Sequence, residues 1–160
     1  MSRGAPGGAV LALVGAAALA GAAVLSGRER GSTNAQHRWM SLGAALAAEP
    51  AAKKAGASEV ARSGRGFMRA YEEAGGDPAA MAELFSEPSG QRWDRRRSGF
   101  VARHKAQVDR RGEALWKLGR DGSEQPSRRH LAMMMWAYTP TPEITERWLR
   151  EQGYEGAMWA

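Results

Sequence analysis

Residues 9–26 form the longest apolar run of the sequence and hold no charged side chain. Its 18 residues are just enough for a membrane-spanning helix, which needs about 20 residues and at least about 17. Eight of these residues are Ala and two are Gly, so the transfer free energy into a bilayer would be marginal. We therefore expect any folded core to lie C-terminal to this stretch, in one small domain.

Three interpretations of the apolar stretch stay open. It resembles a cleavable signal peptide, because small residues at 18–22 offer a cleavage site. It also resembles an organelle transit peptide, because Glu29 is the only acidic residue before position 49. As an uncleaved anchor, its many small residues would let a second helix approach closely. We favour the anchor, with the membrane contacted through residues 9–26.

The basic residues that flank the stretch predict its orientation. Arg28, Arg30 and Arg38 follow it, whereas only Arg3 precedes it. Because positive charge is retained on the cytoplasmic side of a membrane, the C-terminal part is expected to stay on a cytoplasm-like side. The predicted localisation is thus membrane-associated through a single N-terminal span, or exported or organellar if the stretch is cleaved.

The sequence predicts an all-α chain in three parts. Residues 1–30 would be the membrane anchor or targeting segment, and residues 67–160 a small basic helical domain. Residues 31–66 are rich in Ala and Gly and hold few large apolar side chains, which predicts a flexible or partly helical linker. Within that linker, Pro50 is expected to end any Ala-rich helix that begins near Ser41.

Two short helices are predicted over residues 67–86. Apolar residues at helical spacing from Phe67 indicate the first helix, which should end at Gly75–Gly76. Asp77 as N-cap and Pro78 at the first helical position predict the second. We expect this second helix to bury Met81, Leu84 and Phe85.

The most informative segment is basic and spans residues 91–138. Residues 91–130 hold 12 basic and 5 acidic side chains, while the whole chain has a net charge of +6. Val101, Val108 and Leu115 recur every seven residues, which predicts a helix with one apolar stripe, interrupted at Gly99 or Gly112 or continuous. The acidic residues are too few to pair with every cation, so phosphate groups could be bound. The candidate polyanion-binding residues are Arg95, Arg96, Arg97, Arg103, Lys105, Arg110, Arg111, Arg128 and Arg129.

A second helix of the basic segment should begin after a turn at residues 120–123, with Ser127 as its N-cap. Basic residues follow this cap directly, where they oppose the helix dipole, a local cost that an arriving anion would offset. The apolar residues from Leu131 to Tyr138 are expected to be mostly core. Trp136, on another face, is a candidate partner contact.

The C-terminal residues predict one more helix, with Thr141 as N-cap, Pro142 at its first position and an end at Gln152–Gly153. An aromatic tail follows, which either packs back on the domain or docks on a partner. We favour packing back. The candidate partner contacts here are Tyr154 and Trp159.

Residues 96–104 and 126–136 also carry a resemblance. The pairing of RRxSxFxARH with a downstream PSRRxLAxxxW is similar to a short, basic, uncharacterised module of phage and giant-virus proteins. The similarity covers residues 95–136. It implies a viral or virus-like setting and a compact Arg-rich fold, and no particular activity.

The sequence gives no indication of catalysis, and we predict that the protein is not an enzyme and uses no cofactor or metal. Cysteine is absent, which excludes disulfides and thiolate chemistry. His104 and His130 each follow an Arg, and a cationic neighbour disfavours both the imidazolium form and a bound metal.

Two functional hypotheses follow. The first is a polyanion-binding protein, most simply for nucleic acid, whose Arg residues contact phosphates without reading the base sequence. The alternative is a membrane-anchored accessory subunit of a virion or organelle membrane complex, part of a larger assembly, whose Arg residues contact acidic proteins or lipids.

Overall fold

The computed structural model describes residues 37–160, and this region is mostly helical, as the sequence predicts. The difference from the predicted all-α fold is one short antiparallel hairpin, β1–β2. The elements, in chain order, are α1 (Leu42–Lys54), α2 (Glu59–Arg62), α3 (Phe67–Glu73), α4 (Pro78–Met81), α5 (Trp93–Arg111), β1 (Trp116–Leu118), β2 (Glu124–Pro126), α6 (Arg128–Met134) and α7 (Pro142–Glu151).

In place of the flexible or partly helical linker predicted up to residue 66, the structure has helices that are packed into the core of the domain. The Ser41 hydroxyl accepts a hydrogen bond from the Ala44 amide at 3.1 Å and caps α1. Four alanines of α1 are fully buried, and the helix packs against α6. A single Ala buries little area, but a face of small side chains lets two helices approach closely. The folded domain therefore includes residues 37–66, while residues 31–36 lie outside the described residues.

Pro50 does not end this helix, contrary to the prediction. The helix continues one turn further, to Lys54. Pro50 itself is exposed, whereas Ala48 and Ala52 on either side are fully buried. Burial of this face compensates for the backbone hydrogen bond that a proline removes.

An aromatic cluster forms the centre of the core. The Phe67 ring lies 5.1 Å from the Trp136 ring and 5.8 Å from the Trp39 ring, between centroids. Trp93 contacts Phe67 edge-on at 6.1 Å. Helix α3 begins at Phe67 and ends before Gly75 and Gly76, both with positive φ, as predicted. The cluster thus joins α3, α5, the residues before α1 and the turn after α6.

Helix α4 is shorter than predicted. Asp77 caps it, with a carboxylate oxygen 2.8 Å from the Ala79 amide, and Met81 is fully buried as expected. Leu84 is half-buried, but Phe85 is 64% exposed, which corrects its predicted place in the core. After Met81 the chain leaves the helix and Phe85 forms a β-bridge with Arg92, which directs its side chain outward.

Helix α5 is the longest helix of the described region and runs through Gly99 without interruption. It ends at Gly112, which adopts the left-handed conformation with φ of 58°. The hairpin follows, with Trp116 opposite Pro126, so Leu115 lies outside the helix that its spacing predicted. Ser127 then caps α6 through a hydrogen bond from the His130 amide at 3.2 Å, as predicted.

The C-terminal tail packs back on the domain, as the sequence analysis favoured. Met40 forms an antiparallel bridge with Trp159, and the Ser41 amide donates to the Met158 carbonyl at 2.9 Å. Tyr154 lies against Gly43, where a Cβ would come 2.7 Å from the phenol oxygen. No helix within residues 37–160 is long and apolar enough to cross a membrane, and the apolar stretch at 9–26 lies outside the described residues.

Candidate polyanion-binding site

Arg97, one of the predicted polyanion-binding residues, has a structural role instead. Its side chain is fully buried, and its guanidinium donates to four backbone carbonyls at 2.8–3.1 Å. The acceptors belong to His37, Arg38, Trp136 and Ala137. The guanidinium also lies over the Trp39 ring, 4.0 Å from its centroid. Arg97 is thus a structural residue and is not available to an outside anion.

Burial lowers the pKa of Arg97 to about 9, which still leaves the guanidinium charged at neutral pH. No carboxylate in the described region pairs with it. The carbonyl oxygens and the Trp39 ring face therefore supply the negative potential that the buried charge needs. Arg97 joins α5, the residues before α1 and the turn after α6 at one point.

Two other predicted binding residues are engaged in ion pairs. Lys105 bonds Asp109 at 2.9 Å on the exposed side of α5. Arg129 lies 2.7 Å from a carboxylate oxygen of Glu113 and donates to the Gln107 side chain at 2.7 Å. These charges are locally neutralised, so they contribute less to binding a polyanion than unpaired guanidinium groups do.

A groove between α5, α6 and the α1–α2 connection brings three of the predicted residues together. Arg96 and Arg103 line it from α5, and Arg128 lines it from the start of α6. The α1–α2 connection and the start of α2 contribute a further wall, and Phe100 and Trp136 complete the lining; the residues of that wall are Gly56, Ser58, Glu59 and Val60. The volume is about 460 Å³. We call this space the arginine groove.

Each arginine of the groove is held differently. Arg96 donates to the Ser86 hydroxyl and lies 5.0 Å over the Trp93 ring. Arg128 donates twice to the Gly56 carbonyl, at 2.9 and 3.2 Å, which leaves its second terminal nitrogen unused. Arg103 is exposed and forms no hydrogen bond or ion pair with any residue of the described region. None of the three pairs with a carboxylate there, so each can meet an anionic group.

A second, smaller space of about 400 Å³ adjoins the groove and shares Ser58, Phe100 and Arg128 with it. His104 and Ala132 line this extension, together with the Arg129–Glu113 ion pair. Arg129 contacts the Nδ1 atom of His104 at 3.1 Å. Partial burial, then the charges of Arg129 and Arg103, lower the pKa of His104, so its ring is neutral at neutral pH. With Arg129 paired to Glu113, the extension therefore keeps only the positive charge of Arg128, which it shares with the groove.

The remaining predicted cations of α5 do not line the groove. Arg95 and Arg111 are exposed and have no partner among residues 37–160, and Arg110 bonds a carbonyl of its own helix at 3.2 Å. Consecutive residues of a helix are 100° apart, so Arg95 projects well away from Arg96 and Arg103. It does not line the groove.

The three predicted partner contacts all pack within the domain itself. Trp136 is only 5% exposed and stacks on Phe100, with ring centroids 4.6 Å apart, which corrects its predicted place on a partner surface. The Tyr154 hydroxyl donates to the Ala157 carbonyl at 2.9 Å. Trp159 is half-buried beneath the guanidinium of Arg38, at 4.4 Å.

His130, which the sequence analysis considered only as a metal ligand, is fully buried. Its Nε2 atom lies 2.9 Å from the Thr139 hydroxyl, and its ring meets Trp116 edge-on at 4.8 Å. Burial lowers the pKa of His130 to about 4. No cluster of three metal-ligating side chains occurs in the part of the chain that the structure describes.

Comparison with known proteins adds no relative. No family model, no curated protein and no solved structure matches the chain. The similarity of residues 95–136 to a viral module thus stays a prediction, and the case for a function depends on the geometry of the arginine groove.

Proposed function

We propose that the protein is a non-enzymatic binding protein that holds nucleic acid through the phosphates of its backbone. The observation that carries the proposal is the set of guanidinium groups along α5 and at the start of α6 that no carboxylate of the described region neutralises. Three of these groups, on Arg96, Arg103 and Arg128, share one groove. Guanidinium binds phosphate oxygens in a bidentate manner, and such contacts need no particular base sequence.

The distribution of charge supports this proposal over one based on net charge alone. On α7, Arg150 pairs with Glu146 at 2.8 Å and Arg147 pairs with Glu124 of β2. On the groove side of α5, Arg96 and Arg103 have no carboxylate partner within the described region. A concentration of unpaired cations on one surface attracts polyanions, whereas paired charges largely cancel.

The test is the salt dependence of binding, measured by fluorescence anisotropy with a labelled oligonucleotide. Each phosphate contact adds about −0.7 to −0.9 to the slope of log K against log salt. We expect a slope of about −2 to −4 for three or four contacts, and a smaller slope when Arg96 and Arg103 are both changed to Gln. A variant with Arg147→Gln and Arg150→Gln loses the same formal charge and is the matched control.

The proposal fails if affinity is independent of salt, or if the α7 control weakens binding as much as the α5 variant. Vesicles with anionic headgroups are a second probe in the same assay. Tighter binding to these vesicles than to the oligonucleotide would assign the arginines to a lipid surface and reject nucleic acid as the ligand.

A further inference from the structure

The arginine groove has cations from two helices, which suits a chain of phosphates. Arg96 and Arg103 are two helical turns apart, about 10 Å along the axis of α5. Arg128 lines the same groove from the start of α6, positioned by its two hydrogen bonds to the Gly56 carbonyl. A ligand in the groove would therefore meet guanidinium groups of both helices.

The same walls keep a double helix out. A helix that reads duplex DNA enters a major groove about 12 Å wide, which an α-helix of about 10–12 Å diameter already fills. Here the lining residues of the 56–60 segment stand beside the arginines of α5, so the helix cannot enter a major groove with that face leading. A single strand does not need such an entry to bring its phosphates to the arginines.

The groove and its extension differ in charge. In the groove, Glu59 is the only acidic residue among the lining residues, against three arginines. In the extension, Glu113 neutralises Arg129 and the His104 ring is uncharged, so only Arg128, shared with the groove, adds positive charge. A phosphate is favoured in the first space, and an uncharged aromatic group is tolerated in the second.

The extension also offers a surface for stacking. Trp136, Phe100 and His104 form a continuous stack, with centroid distances of 4.6 Å and then 4.0 Å. Trp136 is buried at the inner end, and His104 is half-buried at the outer end. A nucleobase placed on His104 would extend this stack, and such stacking accepts any base because every base has a π face.

We propose that the arginine groove binds single-stranded nucleic acid, with phosphates between Arg96, Arg103 and Arg128 and one base stacked on His104. This inference rests on the proposed function and narrows it to one form of nucleic acid and one face of α5. Duplex DNA is not a ligand of the groove.

Three probes test the inference with the full chain: a labelled oligothymidine, a duplex of the same length and inorganic polyphosphate. We expect the single strand to bind on the order of tenfold more tightly than the duplex. Arg103→Gln should weaken binding of the single strand and of polyphosphate, while Arg95→Gln on the outer face of the same helix should leave both nearly unchanged. Both side chains are exposed and unpaired within the described region, so neither change should disturb the fold.

The base contact has its own pair of variants. His104→Ala should weaken binding of the single strand by several-fold or more and leave polyphosphate binding unchanged, because polyphosphate has no base. His104→Phe keeps an aromatic surface and should retain most of the affinity. Thermal unfolding of each variant checks that the fold is intact.

The outcomes separate the two proposals. If the duplex binds as tightly as the single strand, or if Arg95→Gln weakens binding as much as Arg103→Gln, the groove is not the binding site. The protein then still binds nucleic acid, but this inference is wrong. If His104→Ala weakens polyphosphate binding equally, no base stacks there and this inference is overturned. If none of the three probes binds, both proposals fall.

Discussion

Replacement of Arg97 by Met tests whether a buried guanidinium holds this fold together. Methionine is of similar length and uncharged, so it removes the charge and its four hydrogen bonds while filling much of the space. Among the described residues, the Ala137 carbonyl keeps a second donor, the Met40 amide at 2.8 Å, whereas the carbonyls of Arg38 and Trp136 do not. Those two acceptors would be left without a hydrogen bond close to the core.

The expected cost follows from these contacts. A buried acceptor without a donor costs about 1–3 kcal/mol, which applies in full to the Trp136 carbonyl and in part to the partly buried Arg38 carbonyl. The cation–π contact with Trp39 contributes about 1–2 kcal/mol more. Because the variant also escapes the cost of burying a charge, we expect a net loss of roughly 3–5 kcal/mol in the free energy of unfolding, a large part of the total for a domain of this size.

Urea unfolding followed by tryptophan fluorescence measures this loss, since Trp39, Trp93 and Trp136 lie in the core beside Arg97. The midpoint should fall while the slope of free energy against urea stays constant. Arg95→Gln is the matched control and should change stability by less than about 0.5 kcal/mol. If Arg97→Met is as stable as the unchanged protein, the four carbonyl contacts contribute no net stability and the structural role given to Arg97 is refuted.

Two further changes test the core. The unfolded chain protonates His130 near pH 6.5 and the folded chain only near pH 4, so stability should fall as the pH drops through this range, by about 3 kcal/mol in total. Urea unfolding at several pH values should show that loss of stability, and the loss should be smaller in His130→Gln. If the variant has the same pH dependence, His130 is not the group responsible. A Cβ on Gly66 would lie 2.3 Å from the carbonyl oxygens of Val60 and Ala61. Gly66→Ala should therefore lower the free energy of unfolding by about 1–3 kcal/mol, which thermal unfolding measures. Gly64→Ala, with open space around it, is the control, and equal effects would contradict this argument.

The helix ends were the most predictable part of the fold. Asp77 and Ser127 cap helices as their residue types indicate, and Gly75 and Gly112 end them in the left-handed conformation. These signals are local, since each depends on a few neighbouring residues. The three-residue strands β1 and β2 lack such a signal, because they are too short to show the alternation of a longer strand.

The buried parts of α1 and α5 were harder to predict. The alanines of α1 have too little apolar area for their composition to indicate a core, and their burial depends on a partner helix that is distant in sequence. By charge alone, Arg97 does not differ from its neighbours Arg95 and Arg96. Its spacing does indicate burial, since it lies four residues from both Trp93 and Val101, in the middle of the buried stripe of α5.

For the candidate site, the sequence identified Arg96, Arg103 and Arg128 as cations but could not show that they share a groove. Arg128 is 25 positions from Arg103 in the chain, and the wall at residues 56–60 belonged to the predicted linker. Proximity of this kind arises from tertiary packing, which residue spacing within one helix does not encode.

The bridge between Met40 and Trp159 has a consequence for how the chain folds. Its two partners are 119 positions apart, so closing this contact orders one of the longest loops that the domain can form, and such contacts slow folding. During synthesis, residues 39–41 leave the ribosome long before their partners at 158–160 exist. The contacts of residues 39–41 with the tail must therefore form last, after Trp39 and the alanine face of α1 have found partners in Phe67 and α6, which are made earlier.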